Sequence, residues 1–110
     1  MPNSKQIVDA MMANDAFSQW LGIEVVDTSP GSATLQMTLR DDMTNGFGVA
    51  HGGISYSLAD SALAFASNGH GQHAISVETS ISHAKPIRVG DLLVATAAER
   101  QRGKSLARYD

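Results

Sequence analysis

The chain contains no cysteine. That absence removes disulfides, thiolate zinc sites, iron–sulfur clusters and cysteine nucleophiles together. No run of Lys and Arg occurs and the net charge is -3, whereas a nucleic-acid binder would present a basic face. No apolar run approaches the roughly 20 residues needed to cross a bilayer. The opening residues Met1 to Gln6 lack the apolar core of a signal peptide, so a cytoplasmic location is expected. Internal repeats, low-complexity tracts and linkers are also missing. What is there is 110 residues, 43% hydrophobic and 17% charged. That size and balance suit one soluble domain over 1–110 rather than two.

The hydrophobic period divides the chain into elements. Asn3 or Ser4 can cap a first helix in which Ile7, Val8, Met11 and Met12 recur at helical spacing. Asp15 can cap a second, short helix carrying Phe17, Trp20 and Leu21, with Gly22 as its stop. The period then shifts to two. Ile23 to Ser29 reads as a strand, Pro30-Gly31 as a turn, and Ala33 to Arg40 as a half-buried strand with Ala33, Leu35, Met37 and Leu39 inward. Asp41 to His51 is a loop. Gly53 to Asn68 reads as an Ala-rich helix with Ile54, Leu58 and Phe65 on one stripe, a helix to be wrapped by a curved sheet. Strands are then expected at Ile75–Ser82, with Lys85-Pro86 closing it, at Asp91–Gln101, and from Ser105 to the end. The order α-α-β-β-α-β-β-β gives an α+β fold with one long central helix in an antiparallel sheet. No turn or stop signal precedes Asp110, so the last strand is expected to be cut short.

Two features of the central helix carry chemistry. Asp60 is its one charge, and charged side chains are rarely buried unless paired or functional. A carboxylate in a dry cleft acts as general base or nucleophile; the plainer role is an exposed position, or one satisfied by a neighbouring serine. His51-Gly52-Gly53 opens the same helix. Glycines let a ligand approach backbone N–H groups, and a helix N-terminus turns free donors and partial positive charge toward an oxygen. Together these can form an oxyanion site for an acyl carbonyl; the plainer role is a tight loop-to-helix turn. Gly53 and Asp60 share a helix face but stand about 10 Å apart along the axis. One carbonyl cannot touch both in one chain, so an antiparallel partner helix, and a two-fold dimer with two shared sites, is the natural arrangement.

Asn45-Gly46-Phe47-Gly48-Val49-Ala50-His51-Gly52-Gly53, followed by Ser57-Leu58-Ala59-Asp60, resembles the signature of the hotdog-fold acyl-CoA thioesterases, with the phenylacetate-degradation (PaaI-type) branch as the nearest. Asn14-Asp15-Ala16, Leu21-Gly22-Ile23, Lys85-Pro86, Gly90-Asp91 and Gln101-Arg102-Gly103-Lys104 fit that branch in the same order along the chain. The resemblance implies a long helix wrapped by an antiparallel sheet, pairing through the sheets into dimers or dimers of dimers. Relatives continue through the strand begun at Ser105 and add another. It implies hydrolysis of an acyl-CoA, of phenylacetyl or another aromatic type, to the free acid and coenzyme A, with no cofactor. By that resemblance Asp60 is the catalytic carboxylate, Gly52 the glycine whose N–H polarises the carbonyl, and Asn45 a loop amide positioning thioester or water. Gly53 neighbours the oxyanion glycine, Ser76 is a hydroxyl that places water, and Asn14 lies near the acyl pocket.

His51 can orient the loop or touch the thioester. His70, His73 and His83 show no metal-ligand spacing, so no metal is expected. Lys85, Arg88, Arg102 and Lys104 can meet coenzyme A phosphates. Two other readings stay open at this level. A hotdog hydratase or dehydratase would rely on a histidine paired with a carboxylate, and a hotdog domain could bind acyl-CoA without turnover.

Overall fold

A computed structural model of the chain describes residues 2–110. Helix α1 spans Ser4–Ala13, α2 Ala16–Leu21 and α3 Gly52–Asn68; strands are β1 Glu24–Ser29, β2 Ser32–Thr38, β3 Leu92–Arg102 and β4 Ala107–Tyr109. The four strands form one antiparallel sheet in the order β1-β2-β3-β4. Among the described residues no helix is long and apolar enough to cross a membrane.

Local chemistry sets the helix limits. Asn3 and Gln6 form a reciprocal capping box at the start of α1, at 2.9 Å in each direction, satisfying two donors the helix leaves open. Asp15 caps α2 by accepting from the Ser18 N–H at 3.0 Å, and Gly22 ends it in the left-handed conformation at φ 77°, where a β-carbon is unfavourable. The Ser18 hydroxyl donates to Asp15 at 2.6 Å and meets the Ser61 hydroxyl at 2.8 Å. That buried chain fixes α2 against α3. The hairpin between β1 and β2 turns at Pro30-Gly31, with Gly31 at φ 83°.

The core lies between the inner face of the sheet and one stripe of α3. Strand β2 alternates buried and half-buried residues, with Ala33, Leu35 and Met37 inward. They face Ile54, Leu58, Ala62, Phe65 and Ala66 of α3. Phe65, Leu35 and Met37 are almost wholly buried, each contributing about 1.5–3 kcal/mol relative to an exposed side chain.

One expected element is not a strand. The alternating segment Ile75–Ser82 belongs to a stretch from 70 to 91 without helix or ladder, and Ile75 and Val77 are 90% and 79% exposed. A strand requires a neighbour to accept its N–H groups and donate to its carbonyls. Among the described residues the sheet ends at the three-residue β4, and no strand pairs with 75–82. The segment instead lies along α3 as a strap held by scattered tethers. Ala74 exchanges two hydrogen bonds with the Asn68 side chain, each at 3.0 Å. The Tyr56 hydroxyl meets that of Thr79, and the Ala50 N–H donates to the Ile87 carbonyl at 2.8 Å.

Candidate active site

The loop from Asp41 to His51 is built to deliver the start of α3. Asn45 organises it from within. Its Oδ1 accepts from the N–H of Phe47 at 2.9 Å and of Val49 at 3.4 Å, and its backbone N–H donates to the Val49 carbonyl at 2.8 Å. The loop folds back on itself through a Thr44–Ala50 bridge, leaving Phe47 93% exposed at its tip. The Asn45 side-chain NH₂ donates to no acceptor among the described residues. This amide therefore has one oxygen committed to the fold and two N–H groups open to a ligand.

His51 is the N-cap of α3. Its Nδ1 accepts from the Gly53 N–H at 3.0 Å. The imidazole lone pair thus lies on Nδ1, and the neutral ring carries its proton on Nε2. This answers the Gly-Gly expectation in part. The Gly53 N–H is taken up by His51, whereas the Gly52 N–H has no acceptor among the described residues. The open donor at the start of α3 is thus the Gly52 N–H, where the helix dipole places partial positive charge. His51 performs a capping task, which leaves its Nδ1 unavailable as a catalytic base.

Asp60 lies on the face of α3 turned away from the sheet, with Gly53, Tyr56 and Leu63, while Ile54, Leu58, Ser61 and Phe65 face inward. The expected dry cleft does not surround it within one chain. Asp60 is exposed and makes no hydrogen bond among the described residues, to a serine or otherwise. The reason is helical phase: at 3.6 residues per turn it falls opposite the buried stripe. Gly52 and Asp60 are both open, eight positions apart on a continuous helix, about 12 Å along the axis.

The other expected site residues are dispersed. Ser76 is exposed on the strap rather than on a strand. Asn14 closes α1, its side chain donating to the Ala10 carbonyl at 3.0 Å and its N–H to Met11 and Met12. Lys85 lines a cavity of about 330 Å³ at the N-terminus of α3, together with Ala50, Gly52, Ser55, His83 and Ile87. Ser55 and His83 carry no signal in the sequence, because the strap joins them across 28 positions. His70 is engaged elsewhere, its Nε2 2.9 Å from Glu99 Oε1. Glu99 also accepts from the Tyr109 hydroxyl at 3.2 Å. Burial first, then the hydrogen bond and charge of Glu99, push the Tyr109 phenol above its ordinary range, against a smaller opposing effect of Arg102. No group of three or more metal-ligating side chains comes together among the described residues.

Comparison with known proteins shows the family. The profile of the Thioesterase superfamily matches residues 47–110, the stretch that contains the Gly-Gly turn and Asp60. The chain is 40% identical over 105 residues to the acyl-coenzyme A thioesterase PaaI of Escherichia coli, covering 96% of this chain and 75% of that protein. It is 31% identical over 106 residues to the human acyl-coenzyme A thioesterase 13, covering 94% and 76%. The solved structure of the E. coli PaaI protein superposes with a TM-score of 0.94 at 39% identity, covering 96% of this chain and 77% of that one. With a central helix against an antiparallel sheet and the glycine-opened helix in place, the chain belongs to the thioesterase superfamily and is a hotdog-fold thioester hydrolase.

Proposed function

We propose that the protein hydrolyses an acyl-CoA thioester, with an aromatic acyl group of the phenylacetyl type, at a site shared between two copies of the chain. The acyl-CoA part follows from its relatives, two of which are named acyl-coenzyme A thioesterases. The aromatic part is supported by the E. coli relative, whose structure is described as coming from the phenylacetic acid degradation operon.

One observation carries the shared site. Gly52 and Asp60 both stand open on α3, yet about 12 Å of helix separates them. A thioester carbonyl bound at the Gly52 N–H is out of reach of the same chain's Asp60. A second copy with its helix antiparallel brings its own Asp60 to that carbonyl, and two-fold symmetry makes two such sites. Pairing also encloses a carboxylate that one chain leaves in solvent. Homodimers, or dimers of dimers, follow.

Each residue then has a chemical task. The Gly52 N–H holds the carbonyl oxygen and stabilises the charge that develops on it. The facing Asp60 either adds to the carbonyl carbon or takes a proton from the water that does. When Asp60 adds, the carbon–sulfur bond breaks to leave a mixed anhydride on Asp60, which water then hydrolyses to the free acid while the departing thiolate takes up a proton from that water. When water adds, the carbon–sulfur bond breaks and Asp60 passes the proton it took to the thiolate. Either course consumes one water and releases coenzyme A and the acid. Asn45 orients thioester or water through its open N–H groups, and Ser76 and Asn14 line the approach once the copies pair. His51 and Gly53 form the cap that holds Gly52 in position.

Thiol release from phenylacetyl-CoA and from straight-chain acyl-CoA, with size-exclusion chromatography alongside, tests the proposal. A higher kcat/KM for phenylacetyl-CoA from a dimer or larger assembly supports it. Turnover restricted to straight chains removes the aromatic assignment, and turnover by a monomer removes the shared site.

A further inference from the structure

An oxyanion site with a single donor is incomplete. Charge developing on a carbonyl oxygen is held best by two or more preorganised donors. At the start of α3 the neighbouring backbone donor, the Gly53 N–H, is bound to His51 Nδ1, which leaves Gly52 alone. The strap supplies what is missing. His83 lies with its ring over Gly52, where an added β-carbon would stand 3.4 Å from Nε2 and 3.6 Å from Cε1. Its Nδ1 is 3.5 Å from the Ser55 hydroxyl, which is itself 3.2 Å from the Gly52 carbonyl. All three residues line the cavity at the helix end.

We infer that His83 is a catalytic residue, whose Nε2–H gives the thioester carbonyl its second hydrogen bond beside the Gly52 N–H. This rests on the site proposed above. Ser55 sets the ring's proton arrangement. When its O–H turns to Nδ1, the neutral ring carries its proton on Nε2, facing Gly52. When its O–H stays on the Gly52 carbonyl, a doubly protonated ring donates from Nδ1 to Ser55 and still presents Nε2–H. The remaining tautomer would set a lone pair against the incoming oxygen, so substrate selects the donor forms. As the carbonyl π pair moves onto oxygen, both donors tighten on it; His83 transfers no proton. The tethers at Thr79 and Ile87, on either side of His83, give the strap its role. It carries the His83 side chain to the helix end.

The test compares wild type, His83→Gln and His83→Leu for kcat and KM in thiol release, with circular dichroism and size exclusion to confirm folding. His83 is exposed, so both variants are expected to fold. Glutamine keeps an N–H at the position of Nε2; leucine does not. Removing one oxyanion donor lowers kcat about 10²-fold, so His83→Leu is expected to lose that much with KM little changed, and His83→Gln to recover most of it. A second readout uses the acyl ketone analogue in which methylene replaces sulfur, labelled with carbon-13 at the carbonyl. Its resonance should move downfield on wild type and on His83→Gln, and less on His83→Leu. Wild-type turnover with kcat undiminished in His83→Leu overturns the role of His83 and leaves the site reading intact. Wild type that releases no thiol overturns both.

Discussion

The Gly53 N–H donates to His51 Nδ1 at 3.0 Å, so the residue that precedes α3 also caps it. Losing an N-cap side chain costs about 1 kcal/mol. His51→Ala is therefore expected to lower unfolding free energy by about that amount in urea titrations, and His51→Asn, which restores a capping oxygen, to recover most of it. Equal stability in all three proteins would rule out the capping role.

Gly52 separates stability from activity. Its φ is not positive, so alanine fits the backbone, and such replacements stabilise by about 0.4–1 kcal/mol through the unfolded chain. The added methyl would stand 3.4 Å from His83 Nε2, in the space proposed for the carbonyl oxygen. Gly52→Ala is expected to melt at the same temperature or higher while kcat/KM falls about 10²-fold, as misplacement at a reacting centre does. Unchanged kcat/KM would place the oxyanion position elsewhere.

Much of this arrangement can be read from residue order, and the exceptions share a cause. The caps at Asn3 and Asp15, the stop at Gly22 and the turn at Pro30-Gly31 depend on neighbours a few positions away, and they form as expected. The inward stripe of β2 and α3 follows from period alone. The segment Ile75–Ser82 has an equally clear period of two, but a strand needs a distant ladder partner, which alternation does not supply. The Gly-Gly pair reads as two open donors until His51 turns its Nδ1 onto one of them. His83 reaches Ser55 and Gly52 only through the path of the strap. Asp60 stands out in sequence as the lone charge of an apolar helix, yet its exposure within one chain depends on which face the sheet covers.

Asn45 has a structural task in its loop and a separable one in the proposed site. Its Oδ1 holds the loop, while its NH₂ is open. Asn45→Asp keeps the accepting oxygen and removes the donors. It should fold with wild-type stability and lose up to about tenfold in kcat/KM, the scale of one neutral hydrogen bond. Asn45→Ala should lose both stability and activity. An aspartate variant as active as wild type would confine Asn45 to loop structure.

Tyr109 and Glu99 give a prediction at alkaline pH. Burial and the bond to Glu99 hold the phenol protonated above its ordinary range. The folded state therefore binds this proton more tightly than the unfolded chain. The resulting stability is fully present below the unfolded pKa of tyrosine and is lost as pH rises through the raised folded value. Ultraviolet titration of phenolate should show one of the two tyrosines ionising late, and Glu99→Gln should bring it down. A late phase untouched by Glu99→Gln would leave burial as the whole cause.

The central claim is that a thioester is cleaved by the Asp60 carboxylate of a facing copy. Asp60→Asn changes that group with almost no change in shape at an exposed position, and the decisive measurement is its kcat for thiol release from acyl-CoA beside wild type, at matched size-exclusion profiles. The account predicts a loss of at least about 10²-fold, the contribution typical of a positioned acid–base group. An Asp60→Asn protein that assembles normally and turns over at the wild-type rate would contradict it.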